Sequence, residues 1–235
     1  MSAEFERTTL LRTPFHLART SPFSYECKAC KRCCQGKRIP VNPYEVARLA
    51  RHVGLSTTQF LATRTEVGGA ILRRRDDDTC MFLGEGGCTV HAARPLACRL
   101  YPLGRQRTPD GHERFAELQP HPRSEGVYGD AGTVDTYLAT QDVARHLEMG
   151  DRYGVILVRM LRALAQLEGG REAQAQAVDA MGQPSPTDHD NVLDLDATVA
   201  AHCAETGRSV PDDLEEKVAL HLQALEAFVA SLEAI

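Results

Sequence analysis

The sequence has no apolar run near the roughly 18 residues that a membrane helix needs. The longest candidate, Val155-Ile156-Leu157-Val158, is cut off by Arg159. The first twenty residues lack the apolar core of a secretory signal, because charge and Pro14 interrupt them. There is no excess of positive charge: 27 Lys and Arg stand against 32 Asp and Glu, a net charge of −5. That balance argues against a nucleic-acid partner, whose binders are usually basic. No Ser-His-Asp set, P-loop or HExxH arrangement is present, and no pair of carboxylates stands out. Internal repeats and long heptad runs are missing as well. Together these absences lead us to expect a soluble, cytoplasmic protein with no membrane association.

The 235 residues fit one large domain or two small ones, and 43% apolar with 25% charged residues is a globular composition. The unusual feature is the eight cysteines: Cys27, Cys30, Cys33, Cys34, Cys80, Cys88, Cys98 and Cys203. In a cytosolic chain such a set points to metal binding or catalysis more than to disulfides.

A Cys-x2-Cys step lets two sulfurs reach one ion, because the backbone between them turns back on itself. Two such steps are nested in Cys27-Lys28-Ala29-Cys30-Lys31-Arg32-Cys33, and Cys34 follows directly. Side chains of adjacent residues diverge, so Cys33 and Cys34 suggest two metal centres, or one polynuclear cluster with a spare thiol. Cys80, Cys88 and Cys98 are too widely spaced for a knuckle of their own and must return to the first segment. Structural zinc usually takes two separated knuckles per ion, whereas three close cysteines with a remote fourth is a common iron–sulfur pattern. Lys28, Lys31, Arg32, Lys37 and Arg38 surround the first segment, with no acid between 27 and 38. Cations there offset an anionic thiolate–metal centre and favour deprotonated ligands.

Local signals place the elements. Asn42-Pro43-Tyr44-Glu45 predicts a helix start, with a stop at Gly54, and Ser56 with Gln59 predicts a second start. The apolar runs Ala70-Ile71-Leu72 and Cys80-Met81-Phe82-Leu83, separated by Asp76–Asp78, predict a small hairpin. The Arg73–Arg75 and Asp76–Asp78 runs cancel in charge and read as a solvated turn. Beyond residue 130 the pattern is helical. Thr133 caps one helix, and Leu157, Met160, Leu161 and Leu164 mark one face of a longer one. A helix over 195–203 follows, and a last one starts near Ser209-Val210-Pro211 with Leu214, Val218, Leu225, Val229 and Leu232 at core spacing. Residues 182–190 have the composition of a loop.

Cys27-x2-Cys30-x2-Cys33-Cys34, then Cys80-Met-Phe-Leu and Cys88-Thr-Val-His, then Arg94-Pro95-x2-Cys98-Arg99-x-Tyr101-Pro102, resemble the YkgJ-type cysteine-cluster family, a zinc- or iron-chelating domain with a CxxCxxCC signature. The resemblance covers roughly residues 23–140. It extends to the cysteine-rich part of flagellin lysine N-methylases, which implies an iron–sulfur or methyl-transfer link. The chain departs from a methyltransferase in having no Gly-rich nucleotide loop after a strand.

Histidines extend the donor set. His121, in a Pro-rich stretch, would complete eight ligands for two four-ligand centres, or is simply a loop residue. His91 lies three residues after Cys88 and either chelates with it or sits on the helix entering Arg94-Pro95. Cys203, on a predicted helix, is expected to pack as a small apolar residue. Arg94 and Arg99 either donate to sulfur or an anionic substrate, or brace the loop through carbonyls. Tyr101-Pro102 is expected to end a helix and pack against the site.

The sequence thus predicts a mainly α protein with a small, irregular, hairpin-containing cysteine region. An arm over 1–22 precedes a cysteine-cluster domain over 23–130, and a helical region over 131–235 packs on it. The expected metal ligands are Cys27, Cys30, Cys33, Cys34, Cys80, Cys88, Cys98 and His121. The expected cofactor is an iron–sulfur cluster serving a redox or modification role on a protein or small-molecule partner. The alternatives are two zinc ions in a protein-interaction module, a metal-handling protein, and a thiol-redox enzyme using Cys33-Cys34.

Overall fold

In the computed structural model, which describes residues 14–108, 110–166 and 192–234, helix starts follow local chemistry closely. Asn42 Oδ1 accepts the Glu45 N–H at 3.0 Å, and the Glu45 carboxylate accepts the Asn42 N–H at 3.0 Å. This closed capping box opens α1 (Pro43–Val53), which ends at Gly54 in the left-handed conformation glycine favours. Ser56 and Gln59 form a second box that opens α2 (Thr57–Arg64). Asn42→Ala is expected to cost about 1 kcal/mol, while Asn42→Asp keeps most of that stability. Urea unfolding midpoints of the two variants would check this.

Five further helices are α3 (Leu96–Leu100), α4 (Val134–Thr140), α5 (Ala144–Gln166), α6 (Leu195–Thr206) and α7 (Leu214–Glu233). Thr133 caps α4 as expected, its hydroxyl accepting the Thr136 N–H. The last helix starts later than its Ser209-Val210-Pro211 signal. Asp213 is the cap, accepting the N–H groups of Glu215 and Glu216 at 2.9 and 3.0 Å. A carboxylate at the cap with acids in the first turn suits the helix dipole and wins. The buried face of α5 also differs from the expected one. Tyr153, Ile156, Met160 and Ala163 are buried, whereas Leu157 and Leu161 are only half-buried. The loop expected over 182–190 lies outside the described residues.

The strands are short and form four two-stranded antiparallel sheets among the described residues. β1 (Pro22–Glu26) pairs with β8 (Val127–Thr133), β2 (Thr65–Glu66) with β3 (Ile71–Leu72), β4 (Leu83–Gly84) with β5 (Gly87–Cys88), and β6 (Leu103–Arg107) with β7 (Glu113–Glu117). The chain is mainly α, but the expected hairpin is not the one formed. Ile71-Leu72 pairs back onto Thr65-Glu66 through a turn with positive φ at Val67, Gly68 and Gly69, and Leu83 turns forward onto Cys88.

The described residues fall into two units. One comprises residues 38–74, 90–95 and 146–234. Its core is one cluster, in which Tyr44 and Ala47 of α1 meet Met149, Tyr153, Ile156 and Met160 of α5, Leu195, Val199 and Cys203 of α6, and Val218, Leu222, Leu225 and Val229 of α7. Thr57 binds this region to α6: its hydroxyl donates to Asp194 at 2.6 Å and accepts the Asp196 N–H at 2.8 Å.

The other unit comprises residues 14–37, 75–89 and 96–145, and it carries the seven clustered cysteines. Leu17 exchanges backbone hydrogen bonds with Phe115, and Arg19 bridges Glu113 and Asp135 at 2.7 and 2.8 Å. Phe23, Leu103, Phe115, Ala116, Val134 and Leu138 are almost fully buried. Gly126 lets β8 approach Tyr25, since a Cβ there would overlap the tyrosine hydroxyl. Among the described residues, no helix is long and apolar enough to cross a membrane.

Candidate metal centre

The first cysteine loop leaves β1 at Glu26 and folds back twice. Ala29 and Lys31, on either side of Cys30, both have positive φ, 53° and 63°. Left-handed backbone at two non-glycine residues is costly and persists where the surroundings enforce it. The Ala29 N–H donates to Cys27 Sγ at 3.4 Å, so the turn already directs an amide at sulfur. Cys33 and Cys34 then lie on a short 3-10 turn, Arg32–Cys34.

Backbone hydrogen bonds sew this loop to the second cysteine segment. The Cys80 N–H donates to the Cys34 carbonyl at 2.8 Å, and the Gly36 N–H donates to the Asp78 carbonyl at 3.0 Å. The Asp76–Asp78 run is the turn that makes this possible, closed by the Arg75 N–H on the Thr79 carbonyl at 2.8 Å. Arg75 is more than solvated charge. Its guanidinium donates to the carbonyls of Met81 and Leu83 at 3.1 and 2.6 Å and clamps the strip after Cys80. Cys88 sits on β5 opposite Leu83, whose N–H returns to the Cys80 carbonyl at 3.0 Å. Lys31 donates to the Glu85 carbonyl at the tip of that hairpin. Cys98 lies on α3.

The thiols share one electrostatic neighbourhood. Cys34 feels Cys33, Cys80 and Cys98, and Cys80 feels Cys88 and Cys33. The Cys34 thiol hydrogen-bonds Cys33 and holds the Cys33 pKa down to about 7, with Lys37 assisting. Cys34 moves the opposite way, because its proton serves Cys33 and burial disfavours a second thiolate. Burial also raises Cys80, with Arg75 opposing. Cys27 is exposed, and the other six of the group are half-buried.

Among the described residues, no group of three or more His, Cys, Asp or Glu side chains is already arranged to hold a metal ion. The chemistry of the donor set nevertheless fits a soft thiophilic metal or a cluster. Thiols from two segments are brought within each other's field, a backbone amide is aimed at sulfur, and Lys37 and Arg75 favour thiolates.

The other expected residues divide. His121 is half-buried in a turn, its Nδ1 accepting the Arg123 N–H at 3.0 Å, and its hydrogen-bond partners among the described residues are Arg123 and Ser124. His91 is exposed on a 3-10 turn beside Arg94, with ring nitrogens 2.7 and 3.0 Å from the guanidinium. Arg94 also donates to the His91 carbonyl at 3.2 Å. Arg99 is buried and donates to the Gln141 carbonyl at 3.0 Å, a bracing contact. Cys203 packs in the helical core as expected. Tyr101 ends α3 and lies in the field of Cys33 and Cys30, which the sequence also anticipates.

A group of tyrosines surrounds it that no motif or spacing announces. Tyr25 is edge-on to Tyr128 at 5.1 Å, to Tyr101 at 6.0 Å and to Tyr137 at 6.5 Å. The Lys37 ammonium lies 5.8 Å over the Tyr101 ring. Only the adjacency of Tyr25 to Cys27 hints at this in one dimension.

Comparison with curated proteins and with solved structures returned no match. Residues 26–120 match a family described as "CxxCxxCC: Putative zinc- or iron-chelating domain". The matched span contains the seven clustered cysteines, and over residues 26–120 of its 235 the chain is similar to that family.

Proposed function

We propose that thiolates from among the seven clustered cysteines hold an iron–sulfur cluster and that the protein serves a redox or modification role. The observation that carries this reading is the Cys80 N–H to Cys34 carbonyl bond, with Cys34 in the field of Cys33, Cys80 and Cys98, and Cys80 in that of Cys88 and Cys33. Four thiolates from two segments meet the needs of a cluster and leave three thiols to exchange or protect it. Lys37 and Arg75 offset the negative charge of such a centre. When bound, a cluster supplies one-electron transfer or a site for an electron-rich ligand. The residues of the chain position the thiols, exclude part of the solvent and lower the charge.

The test is protein purified without oxygen, with iron, zinc and acid-labile sulfide counted on one sample beside its visible spectrum. Brown protein with matched iron and sulfide is the expected result. Colourless protein with zinc and no sulfide overturns the cluster, and makes the domain a zinc-held interaction module.

A further inference from the structure

Two buried tyrosine hydroxyls in the cysteine-bearing unit lack a partner. The Tyr101 and Tyr128 hydroxyl oxygens are inaccessible to solvent, and among the described residues neither completes a hydrogen bond. Tyr101 and Tyr128 interact with each other, and Tyr101 with Ser124, without closing one. Buried hydroxyls are almost always satisfied, so a pair of orphans calls for an acceptor.

The surroundings indicate what that acceptor is. Tyr101 lies in the field of Cys33 and Cys30. Tyr25, packed edge-on against both rings, lies in the field of Cys27, Cys33 and Cys30. Tyr128 lies in the field of the Glu117 carboxylate instead, and the nearby cation, Lys37 over the Tyr101 ring, adds no acceptor. Burial raises the pKa of all three phenols, Tyr25 to about 12, so each keeps its proton and remains a donor. Tyr137 is the contrast. Its hydroxyl is already spent on the Tyr101 carbonyl at 2.5 Å.

We infer that Tyr101 is a positioning residue for the metal centre, its hydroxyl donating to a ligand sulfur once a metal has drawn the Cys30 and Cys33 thiolates together. The inference rests on the metal reading above but not on the choice of iron or zinc. Hydrogen bonds to ligand sulfur withdraw charge, stabilise the bound thiolate and hold it in place. Until that bond forms, the Tyr101 hydroxyl completes no hydrogen bond among the described residues.

That asymmetry separates a metal-directed role from a packing role. Cobalt(II) titrated into reduced, metal-free, full-length protein reports through its thiolate-to-metal absorption band. Tyr101→Phe is expected to weaken cobalt binding about ten-fold and to shift that band, as loss of an outer partner does. The metal-free melting temperature should hold or rise, because phenylalanine keeps the ring and removes an unsatisfied hydroxyl. Tyr137→Phe should lower that melting temperature and leave cobalt affinity within two-fold. Unchanged cobalt affinity and spectrum in Tyr101→Phe overturns the inference while the metal reading stands. Wild-type protein that binds no cobalt through thiolate overturns the metal reading and this inference with it.

Discussion

Cys34→Ser and Cys80→Ser proteins are each expected to lose the metal of their centre and to unfold at markedly lower denaturant than the wild type. These two positions join the segments: the Cys80 N–H donates to the Cys34 carbonyl at 2.8 Å, and the Cys34 thiol lies in the field of Cys80. Serine preserves backbone and volume but does not ionise near neutrality, so the variants remove a ligand and little else. Structural zinc in small domains contributes on the order of 10 kcal/mol of apparent binding energy, and that energy is folding energy where apo sites are unformed. Losing one of the ligands forfeits enough of it, several kcal/mol, to exceed any packing effect of the substitution. Cys203→Ala is the control. Its sulfur is buried among α6 and α7 and donates weakly to the Ser209 carbonyl at 3.7 Å. It should cost about 1 kcal/mol and leave metal content unchanged, as for a small cavity in a core. Metal counts per chain with urea unfolding on the same samples decide the matter. Full metal in both serine variants, with wild-type unfolding, removes the cysteines from the site.

Why some of this was legible in the sequence and some was not follows from the range of the interactions. Asn42 with Glu45 and Ser56 with Gln59 are bonds across three residues, so the letters alone specify them. The hairpin assignment failed because two apolar runs flanking Asp76–Asp78 look like partners. The deciding contacts are elsewhere. The Leu72 N–H donates to the Ile39 carbonyl, and the Gly68-Gly69 turn returns β3 onto β2. The aspartate turn closes on Arg75 and Thr79, and the chain beyond it meets Cys34 rather than Ile71. β1 and β8 are about a hundred residues apart in sequence, and the LGRQR and ERFAE strands of β6 and β7 lack clear apolar alternation. No local signal could have paired them. The cysteines were legible by number and spacing, a compositional signal that survives ignorance of the fold. The tyrosines beside them were not. Tyr25 and Tyr128 meet through the β1–β8 register, where they are direct partners, and Tyr101 arrives from the end of α3.

The helical unit carries a titration of its own. His221 of α7 is fully buried, its Nδ1 lies 3.0 Å from the Tyr153 hydroxyl, and its Nε2 has no hydrogen-bond partner among the described residues. Burial lowers its pKa from 6.5 to about 4. The folded state therefore holds the ring neutral where the unfolded chain would protonate it. Above pH 6.5 both states are neutral and the group costs nothing. As pH falls from 6.5 towards 4 the unfolded chain binds the extra proton, and stability declines by roughly 3 kcal/mol in all. Asp196 acts in the same direction but lower. Burial opposes its ionisation, yet the bonds from Lys217 and Thr57 hold its pKa below 3.8, so its contribution is lost only as pH falls below that value. His221→Gln keeps a polar partner for Tyr153 and cannot take the proton. Urea unfolding at pH 7, 5.5 and 4.5 should show the wild type losing stability across that range faster than His221→Gln. The difference between the two proteins cancels the acid release of any thiolate-bound metal, which both share. Parallel pH profiles would place the charged ring in contact with solvent and remove His221 from the acid sensitivity of the fold.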